Sequence, residues 1–324
     1  MTIVVTGSVA YDYIMSFPGR FKDHILPDKI DHLSVSFLVD SMRRERGGCA
    51  PNIAYTLRLL GARPYIVATV GQDFGDYRRW LEEQGIDTSG IRVYEDDFTA
   101  SFFVSTDLDN NQIASFYTGA MRRAAELSLH DLDLADAALA IISPNDPAAM
   151  VKYVRECKDL DLPYVYDPSQ QVIRLSGEEL LEGIRGARLL VVNEYEFEMI
   201  KRKTGLDGET LFGMTQATII TCGERGSVIV EGDQRVEVPV ATPRRIGEPT
   251  GVGDAYRAGI MVGMLAGLPW EITGRIGSLA ATYVLEQYGT QSHSFTLDEF
   301  IERYRETFGD APGLERLRSG VVSS

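Results

Sequence analysis

Residues 188–223 read RLLVVNEYEFEMIKRKTGLDGETLFGMTQATIITCG. Two short apolar runs, at 189–192 and 217–221, flank a stretch of helical composition at 194–204. The order strand, helix, strand defines a βαβ unit, which places two parallel strands in one sheet. Neither apolar run alternates with polar residues, as expected for strands that helices cover on both faces.

The same alternation recurs along most of the chain. Further apolar runs lie at 2–7, 64–71, 138–143 and 163–169, and helical stretches lie at 51–61, 75–85 and 147–161. The pattern predicts an α/β fold with a mostly parallel central sheet and helices on both faces. No linker divides the 324 residues, so we predict a single domain over 1–324.

Two regions break this rhythm and predict a small β lid. Residues 13–46 are mixed and rich in charge, and residues 97–118 read as a hairpin around Asp109-Asn110-Asn111. Within the second region, the period-two spacing places four side chains on one face: Phe98, Ala100, Phe102 and Val104. A small aromatic sheet inserted in an α/β domain suggests a lid over the carboxyl ends of the strands. The alternative is that these aromatics only form the core of the lid.

Composition limits the classes of partner. The formal net charge of −15 disfavours nucleic acid and anionic membranes, which attract basic patches. No apolar stretch approaches the roughly 18 residues that span a bilayer, and the amino terminus has no basic region, so we expect a cytoplasmic protein. The three cysteines and four histidines are scattered, which indicates neither disulfides nor zinc. A metal ion would have to be held by carboxylates and a ligand, as Mg²⁺ is with phosphates.

Residues 248–259, EPTGVGDAYRAG, carry the most specific chemistry. Gly251 and Gly253 precede a helix, whose free N–H groups and dipole favour an anion. No lysine follows the second glycine, so this is not a P-loop; Asp254 stands there instead. An alcohol that attacks phosphorus loses its proton, so Asp254 is a candidate base, and the backbone from Gly251 through Val252 to Asp254 is a candidate anion hole. A helix-capping aspartate is the competing interpretation.

Two earlier segments suggest a sugar site. GSVAYD (7–12) ends the first strand, and the carboxylate of Asp12 could accept hydrogen bonds from two vicinal hydroxyls. In RGGCAPN (46–52), Gly48 would let the backbone approach a ligand, and Asn52 offers a donor and an acceptor. Each segment alone is also compatible with an ordinary loop or helix cap.

Two later segments suggest a nucleotide site. Asn193 and Glu196 in NEYE lie three residues apart at a helix start and could orient water on Mg²⁺, unless they only cap the helix. Thr221, Gly223 and Gly226 in TCGERG form a turn suited to phosphate, unless it is a plain βαβ or hairpin turn.

Together, in this order, the five motifs resemble the ribokinase-like (phosphofructokinase-B) family of ATP-dependent kinases, over residues 7–259. The stretches PGRF, LSVSFLVD, DFGDYRRWL, QIASFYTGAM, DPSQQ and RLSGEE look like bacterial adenosine kinases of the mycobacterial type. The resemblance implies transfer of a phosphoryl group from ATP to adenosine, giving ADP and AMP, with Mg²⁺.

The resemblance also implies roles for individual residues. It makes Asp254 the base that activates the ribose 5′-hydroxyl. Ribose hydroxyls would be held by Asp12, Gly48 and Asn52, and further nucleoside contacts would come from Ser8 and Ser36. Adenine would lie between Phe102 and Phe116, one of which would reach across a homodimer formed through the lid. The segment DPSQQVIR contributes Gln170, Gln171 and Arg174, where Gln171 would read a purine edge and Arg174 would neutralise phosphate. The nucleotide side would comprise Asn193, Thr221, Gly223 and Gly226.

Two places depart from the family pattern, Glu248 and the final GTQSHS (289–294), and three alternatives stay open. Family members often have Asp where this chain has Glu248, at a position that helps bind a monovalent cation; Glu248 and Thr250 are therefore a possible K⁺ site. A sugar kinase or a kinase for another nucleoside is the nearest alternative, although aromatic rings favour a flat base over a bare sugar. An NAD-dependent enzyme is disfavoured because TGSVAYD (6–12) lacks GxGxxG. A non-catalytic nucleoside sensor is disfavoured by Asp254, Asn193 and Glu196.

Overall fold

The computed structural model describes residues 2–25 and 34–318. Its strands, in chain order, are β1 Thr2–Thr6, β2 Ala10–Ser16, β3 Ser41–Gly47, β4 Arg63–Gly71, β5 Ile91–Tyr94, β6 Ala100–Thr106, β7 Gln112–Tyr117, β8 Ala137–Ile142, β9 Tyr164–Tyr166, β10 Leu189–Asn193, β11 Ala217–Thr221, β12 Ser227–Glu231 and β13 Gln234–Val238. Its α-helices are α1 Cys49–Leu59, α2 Gly75–Glu83, α3 Pro147–Asp159, α4 Gly177–Ile184, α5 Glu194–Thr204, α6 Gly208–Phe212, α7 Val252–Leu265, α8 Trp270–Leu285 and α9 Leu297–Phe308.

The central sheet has the order β13-β12-β11-β10-β9-β8-β1-β4-β5. The strands from β11 to β5 pair in parallel, and only the β11–β12 and β12–β13 pairs at one edge are antiparallel. The predicted α/β fold with a mostly parallel sheet is confirmed. The carboxyl ends of the parallel strands therefore meet along one edge, where a ligand site is expected.

Side chains of single strands alternate between two apolar layers. On β1, Ile3 and Val5 pack into one layer with α1, α7 and α8, while Val4 packs into the other with α3, and all three side chains are fully buried. Helices therefore cover both faces, as the continuous apolar runs predict. On one face α7 and α8 pack very closely, because a Cβ on Gly259 would lie 2.7 Å from the Cα of Gly277. This close packing fixes the position of α7, which carries Asp254 at its start.

A second, smaller sheet has the order β3-β2-β6-β7 and forms the region predicted as a lid. Its strands cover 10–16, 41–47, 100–106 and 112–117, close to the predicted 13–46 and 97–118; residues 26–33 of the predicted lid lie outside the described residues. The predicted hairpin is present, and Asp107 organises its turn by accepting the N–H groups of Asp109 and Asn111. The β2–β6 pair is parallel and the other two pairs are antiparallel, so the sheet is mixed.

The register of the small sheet defines two faces. Asp12 lies opposite Phe102, which lies opposite Phe116, so these three side chains share what we call the inner face. Tyr13 and Phe103 occupy the outer face, where their rings stack with centroids 4.7 Å apart. Ala100 and Val104 share the inner face with Phe102 as predicted. Phe98 precedes β6, which begins at Ala100, and lines a cavity together with Phe103, Phe116 and Tyr117.

Candidate active site

The start of α7 combines a tight turn with a carboxylate. Gly251 precedes the helix with φ of 82°, a left-handed conformation that favours glycine, and a Cβ there would lie 3.0 Å from the Cβ of Thr290. The N–H of Val252 bonds to the carbonyl of Pro249, and that of Ala255 bonds to the carbonyl of Gly251. Within the described part of the chain, the N–H groups of Gly253 and Asp254 are left as free donors at the helix start.

Asp254 is held in place by the amide of a residue far away in sequence. Nδ2 of Asn52, on α1, donates to Oδ2 of Asp254 over 2.9 Å. Burial raises the pKa of Asp254, while Arg257 and the bond from Asn52 counteract this effect. A partly buried carboxylate with a raised pKa is a stronger base than a free one, which suits proton abstraction.

Asn52 is itself oriented by a glutamine that sequence reasoning missed. Nε2 of Gln291 donates to Oδ1 of Asn52 over 2.7 Å and to the hydroxyl of Tyr77 over 2.6 Å. Tyr77 in turn donates to the carbonyl of Gly47 over 3.0 Å. Gln291 lies in GTQSHS (289–294), which the sequence showed only as a departure from the family pattern, without a role for Gln291.

The predicted sugar-binding segments meet beside Asp254. Gly48 precedes α1 with φ of 96°, and a Cβ there would lie 2.5 Å from the carbonyl oxygen of Ser8. Oγ of Ser8 accepts the N–H of Cys49 over 3.2 Å, so Ser8 caps the start of α1. The structure therefore brings together Ser8, Gly48, Asn52 and Asp254.

Asp12 lies on the inner face of the lid near acidic neighbours. Burial raises its pKa to about 6, and the charges of Glu248 and Glu45 contribute in the same direction. The carboxylate lies against Gly47, where a Cβ would come within 2.5 Å of Oδ2. Burial and the two neighbouring carboxylates destabilise the charged form of Asp12. A ligand that donates hydrogen bonds to this carboxylate would therefore bind favourably.

The predicted lid residues differ in placement. Phe102 is partly buried beside Asp12, whereas Phe116 is 51% exposed at the edge strand. Ser36 is exposed in an irregular segment, and within the described residues no hydrogen bond joins it to the other predicted site residues. The strand register therefore groups Phe102 and Phe116 with Asp12.

Three of the predicted nucleotide residues, Asn193, Glu196 and Thr221, line a cavity of about 210 Å³ at the ends of β10 and β11, and Gly223 and Gly226 do not. The wall of this cavity comprises Ser169, Val191, Asn193, Glu196, Thr221, Gly253, Tyr256 and Arg257. Asn193 and Glu196 form a capping box, each side chain accepting the N–H of the other over 2.8 Å. Asn193 and Glu196 therefore do cap the start of α5. The other carboxylate oxygen of Glu196, Oε1, has only a long 3.4 Å contact with Oγ of Ser169.

TCGERG forms the turn between antiparallel strands β11 and β12, so the hairpin interpretation is also realised. Gly223 and Gly226 both have positive φ, and a Cβ on Gly226 would clash with the carbonyl of Val238 at 2.0 Å. Thr221 lines the cavity, while the exposed Gly223 lies beyond it. The turn geometry thus explains the two glycines without a ligand.

The DPSQQVIR segment forms a 3₁₀ turn at Ser169–Ile173 directly after β9. Gln171 is buried, and its Oε1 has no hydrogen-bond partner among the described residues, whereas Gln170 and Arg174 are exposed. A buried amide oxygen without a partner is costly and is a candidate for ligand contact.

Glu248 uses both carboxylate oxygens within the protein. Oε1 accepts the hydroxyl of Thr250 over 3.0 Å, and Oε2 accepts the N–H of Gly289 over 3.2 Å. No group of three or more carboxylate, histidine or cysteine side chains over 2–25 and 34–318 is arranged to hold a metal ion. None of the described helices has the length and apolar character to cross a membrane.

The model of the pfkB family of carbohydrate kinases matches residues 3–296. The chain belongs to this family. A nucleoside kinase of Methanocaldococcus jannaschii is 31% identical over 93% of this chain and 96% of its own length. The structure of the nucleoside kinase of Burkholderia thailandensis in complex with inosine superposes with a TM-score of 0.85 at 36% identity, covering 96% of this chain and 99% of that one. The same enzyme in complex with ADP-inosine gives a TM-score of 0.83 at 37% identity, covering 96% and 97%.

Membership of the pfkB family confirms two predictions made from the motifs. The chain is a kinase of the ribokinase-like group, and its fold is the one that this family adopts. The NAD-dependent alternative is thereby excluded.

Proposed function

We propose that this protein is a nucleoside kinase that transfers the γ-phosphoryl group of ATP to the 5′-hydroxyl of a purine nucleoside, with adenosine as the expected substrate. The observation that carries the proposal is the position of Asp254. Its carboxylate is fixed by Asn52 at a helix start with two free N–H donors, close to the sugar-binding segments. Nucleoside kinases that are similar to this chain support the choice of a nucleoside as acceptor.

In the proposed reaction, the 5′-hydroxyl gives its proton to Asp254 as its oxygen bonds to the γ-phosphorus. The bond from that phosphorus to the bridging oxygen breaks, and the electron pair leaves with ADP. The N–H groups of Gly253 and Asp254 stabilise the charge on the phosphoryl oxygens. The predicted anion hole is narrower than Gly251–Asp254, because the N–H of Val252 bonds to the carbonyl of Pro249.

The nucleoside is proposed to lie under the inner face of the lid. Asp12, Asn52 and the backbone at Gly48 would hold the ribose hydroxyls, which relieves the raised pKa of Asp12. Phe102 and Phe116 would contact the base, with one ring supplied by a second copy through a homodimer. Ser8 and Ser36 are proposed further contacts, and Gln170, Gln171 and Arg174 would face the base and phosphate.

ATP is proposed to occupy the cavity at Asn193 and Thr221, with Gly223 and Gly226 shaping the adjacent turn. Mg²⁺ would neutralise the phosphates. The donor set fits an ion held mainly by phosphates and water, because Glu196 offers one loosely bound oxygen, Oε1, and no other carboxylate lines the cavity among the described residues. A K⁺ site at Glu248 and Thr250 would require both residues to exchange their internal hydrogen bonds.

The proposal is tested by a substrate panel with ATP and Mg²⁺. Adenosine, inosine, guanosine, cytidine, ribose and fructose 6-phosphate are compared by kcat/KM. We expect a purine nucleoside, adenosine first, to exceed both sugars by about tenfold or more, because the aromatic lid residues stack on a base. A kcat/KM for ribose or fructose 6-phosphate above that of adenosine would reject the nucleoside assignment. A kcat/KM for inosine above that of adenosine would make inosine the preferred substrate. Binding of adenosine without any turnover would favour a nucleoside sensor.

A further inference from the structure

Arg257 follows Asp254 by one helical turn, so the two side chains share a face of α7. Its guanidinium is 11% exposed and makes a two-pronged ion pair with Asp167, which is fully buried. Nε lies 2.6 Å from Oδ2 of Asp167, and Nη2 lies 2.7 Å from Oδ1. One edge of the guanidinium is therefore engaged by Asp167, through a hydrogen bond from Nη2 and a close ionic contact at Nε. Asp167 directly follows β9.

The other edge of the guanidinium is directed to the reaction centre. Nη1 of Arg257 is 3.8 Å from Oδ1 of Asp254, too long for a hydrogen bond. A Cβ on Gly253 would lie 2.7 Å from this nitrogen, so the missing side chain leaves the guanidinium edge beside the free N–H of Gly253. Arg257 and Gly253 both line the cavity proposed for the ATP phosphates.

The charges around Arg257 explain why its guanidinium does not form a direct hydrogen-bonded ion pair with Asp254. The groups that face it are the carboxylates of Asp167, Asp254 and Glu196 and the thiol of Cys49. Burial works to lower the pKa of Arg257, but the carboxylates outweigh it and keep the pKa above its usual value. Because Asp167 contacts two nitrogens of the guanidinium, Nη2 through a hydrogen bond and Nε through a close ionic contact, it restricts the orientation of the group.

We propose that Arg257 is a phosphate-binding residue, whose Nη1 donates to an oxygen of the γ-phosphoryl group, and that Asp167 is its positioning residue. This inference rests on the proposed kinase function. The cation lies next to the phosphoryl group together with the N–H groups of Gly253 and Asp254, and Asp167 keeps it from pairing with the base. Asp254 thus stays free to take the proton of the incoming alcohol.

The first test is binding and does not depend on nucleoside turnover. The Kd values of ATP and ADP are measured by calorimetry for the wild type and for Arg257→Gln. We expect the preference for ATP over ADP to fall by about tenfold or more in the variant, as for loss of a charge-assisted hydrogen bond. Arg257→Lys should keep part of the preference. An unchanged ratio of the two Kd values in Arg257→Gln would overturn the proposal, even in a protein that phosphorylates no nucleoside.

The second test separates positioning from simple loss of stability through the pH profile of kcat/KM. Arg257→Gln removes the cation that lowers the pKa of Asp254, so the acid limb should move to higher pH. Asp167→Asn releases the guanidinium toward Asp254, so the acid limb should move to lower pH while the maximum falls by about 10- to 100-fold. Shifts in the same direction, or no shift in either variant, would reject the role of Asp167.

Two further variants control for folding. Arg303 and Glu286 form another buried two-pronged pair, so Arg303→Gln should lower the melting temperature but keep the preference for ATP over ADP. The double variant Asp167→Asn/Arg257→Gln removes both charges of the pair, so neither is left buried without a partner. If the single variants do not fold, the ATP and ADP binding measurements are made on this double variant. The proposal requires the ATP preference to be lost in this double variant too, and its retention contradicts the proposal.

Discussion

At the residue scale, the carboxylate of Asp254 decides between a helix cap and a base. Oδ2 accepts the amide of Asn52, and the N–H groups of Gly253 and Asp254 remain free within the described residues. A cap would satisfy one of those donors with its own side chain, and no such cap is present at the start of α7. The geometry therefore favours the base, which the proposed transfer requires.

We expect Asp254→Asn to lower kcat by about 10²- to 10⁴-fold, because the amide keeps the size of the side chain but cannot take a proton. The Kd of the nucleoside should change much less than kcat. Steady-state kinetics and calorimetry measure the two quantities. Asp298→Asn is the matched control, since Asp298 is an exposed aspartate in the first turn of α9. A kcat for Asp254→Asn within a few-fold of the wild type would refute the assignment.

Asp12 gives a prediction about pH and stability. Its pKa in the folded protein is about 6, above that of a free aspartate, so folding favours the protonated form. The ligand-free protein therefore loses stability as the pH rises through about 6, and Asp12→Asn should remove this loss. We expect the variant to be more stable at pH 8 by roughly 1–3 kcal/mol, and the gain should shrink as the pH falls toward the unfolded-state pKa of about 4. Thermal unfolding without ligand checks the difference, and an equal melting temperature at pH 8 would contradict it.

The same carboxylate should control nucleoside binding. As the pH falls below about 6, the protonated Asp12 loses its capacity to accept two hydroxyls, so the nucleoside KM should rise. Asp12→Asn should raise that KM at every pH and abolish its dependence on pH near 6. The KM of ATP serves as the internal reference in both experiments.

At the element scale, the sequence predicted what lies close along the chain. The βαβ order, the lid hairpin and the capping pair Asn193–Glu196 follow from spacings of a few residues, and each is present. The contacts that complete the site join distant segments. Asn52 and Asp254 are 202 residues apart, and Gln291 and Asn52 are 239 apart. Asp167 and Arg257 are 90 apart. Spacing carries no information on such pairs, which is why Gln291 and Asp167 were missed.

The two faces of β6 provide a matched pair of variants for the lid. Phe102 lies on the inner face beside Asp12, and Phe103 lies on the outer face against Tyr13. We expect Phe102→Leu to raise the nucleoside KM by about tenfold through loss of base stacking, with the ATP KM little changed. Phe103→Leu should leave both values within about threefold, because leucine keeps the outer face apolar. Equal effects of Phe102→Leu on the two substrates would mean that the ring serves only the lid.

At the scale of the whole molecule, the apolar core and the candidate active site occupy different parts of the fold. Two apolar layers hold a sheet whose parallel strands end along one edge, and the residues that follow β1, β9, β10 and β11 meet there with the start of α7. On the outer face of the small sheet, Tyr77 of α2 packs near Tyr11, with ring centroids 5.6 Å apart, while other side chains of this face are exposed. Phe103, Ile113 and Tyr117 on that face are each about 40% exposed.

This exposed face leads us to expect a homodimer formed through the lid, as the resemblance to adenosine kinases also implies. Light scattering should then give twice the chain mass of 35.9 kDa. Ile113→Glu places a charge on the outer face and should shift the mass to that of one chain, because burying an unpaired carboxylate is costly. Leu160→Glu is the control, since Leu160 is similarly exposed at the end of α3, away from the lid. If one lid ring completes the partner's base site, the Ile113→Glu monomer should also show a raised nucleoside KM. A wild-type mass of 35.9 kDa at micromolar concentration would refute the dimer and leave the site to a single chain.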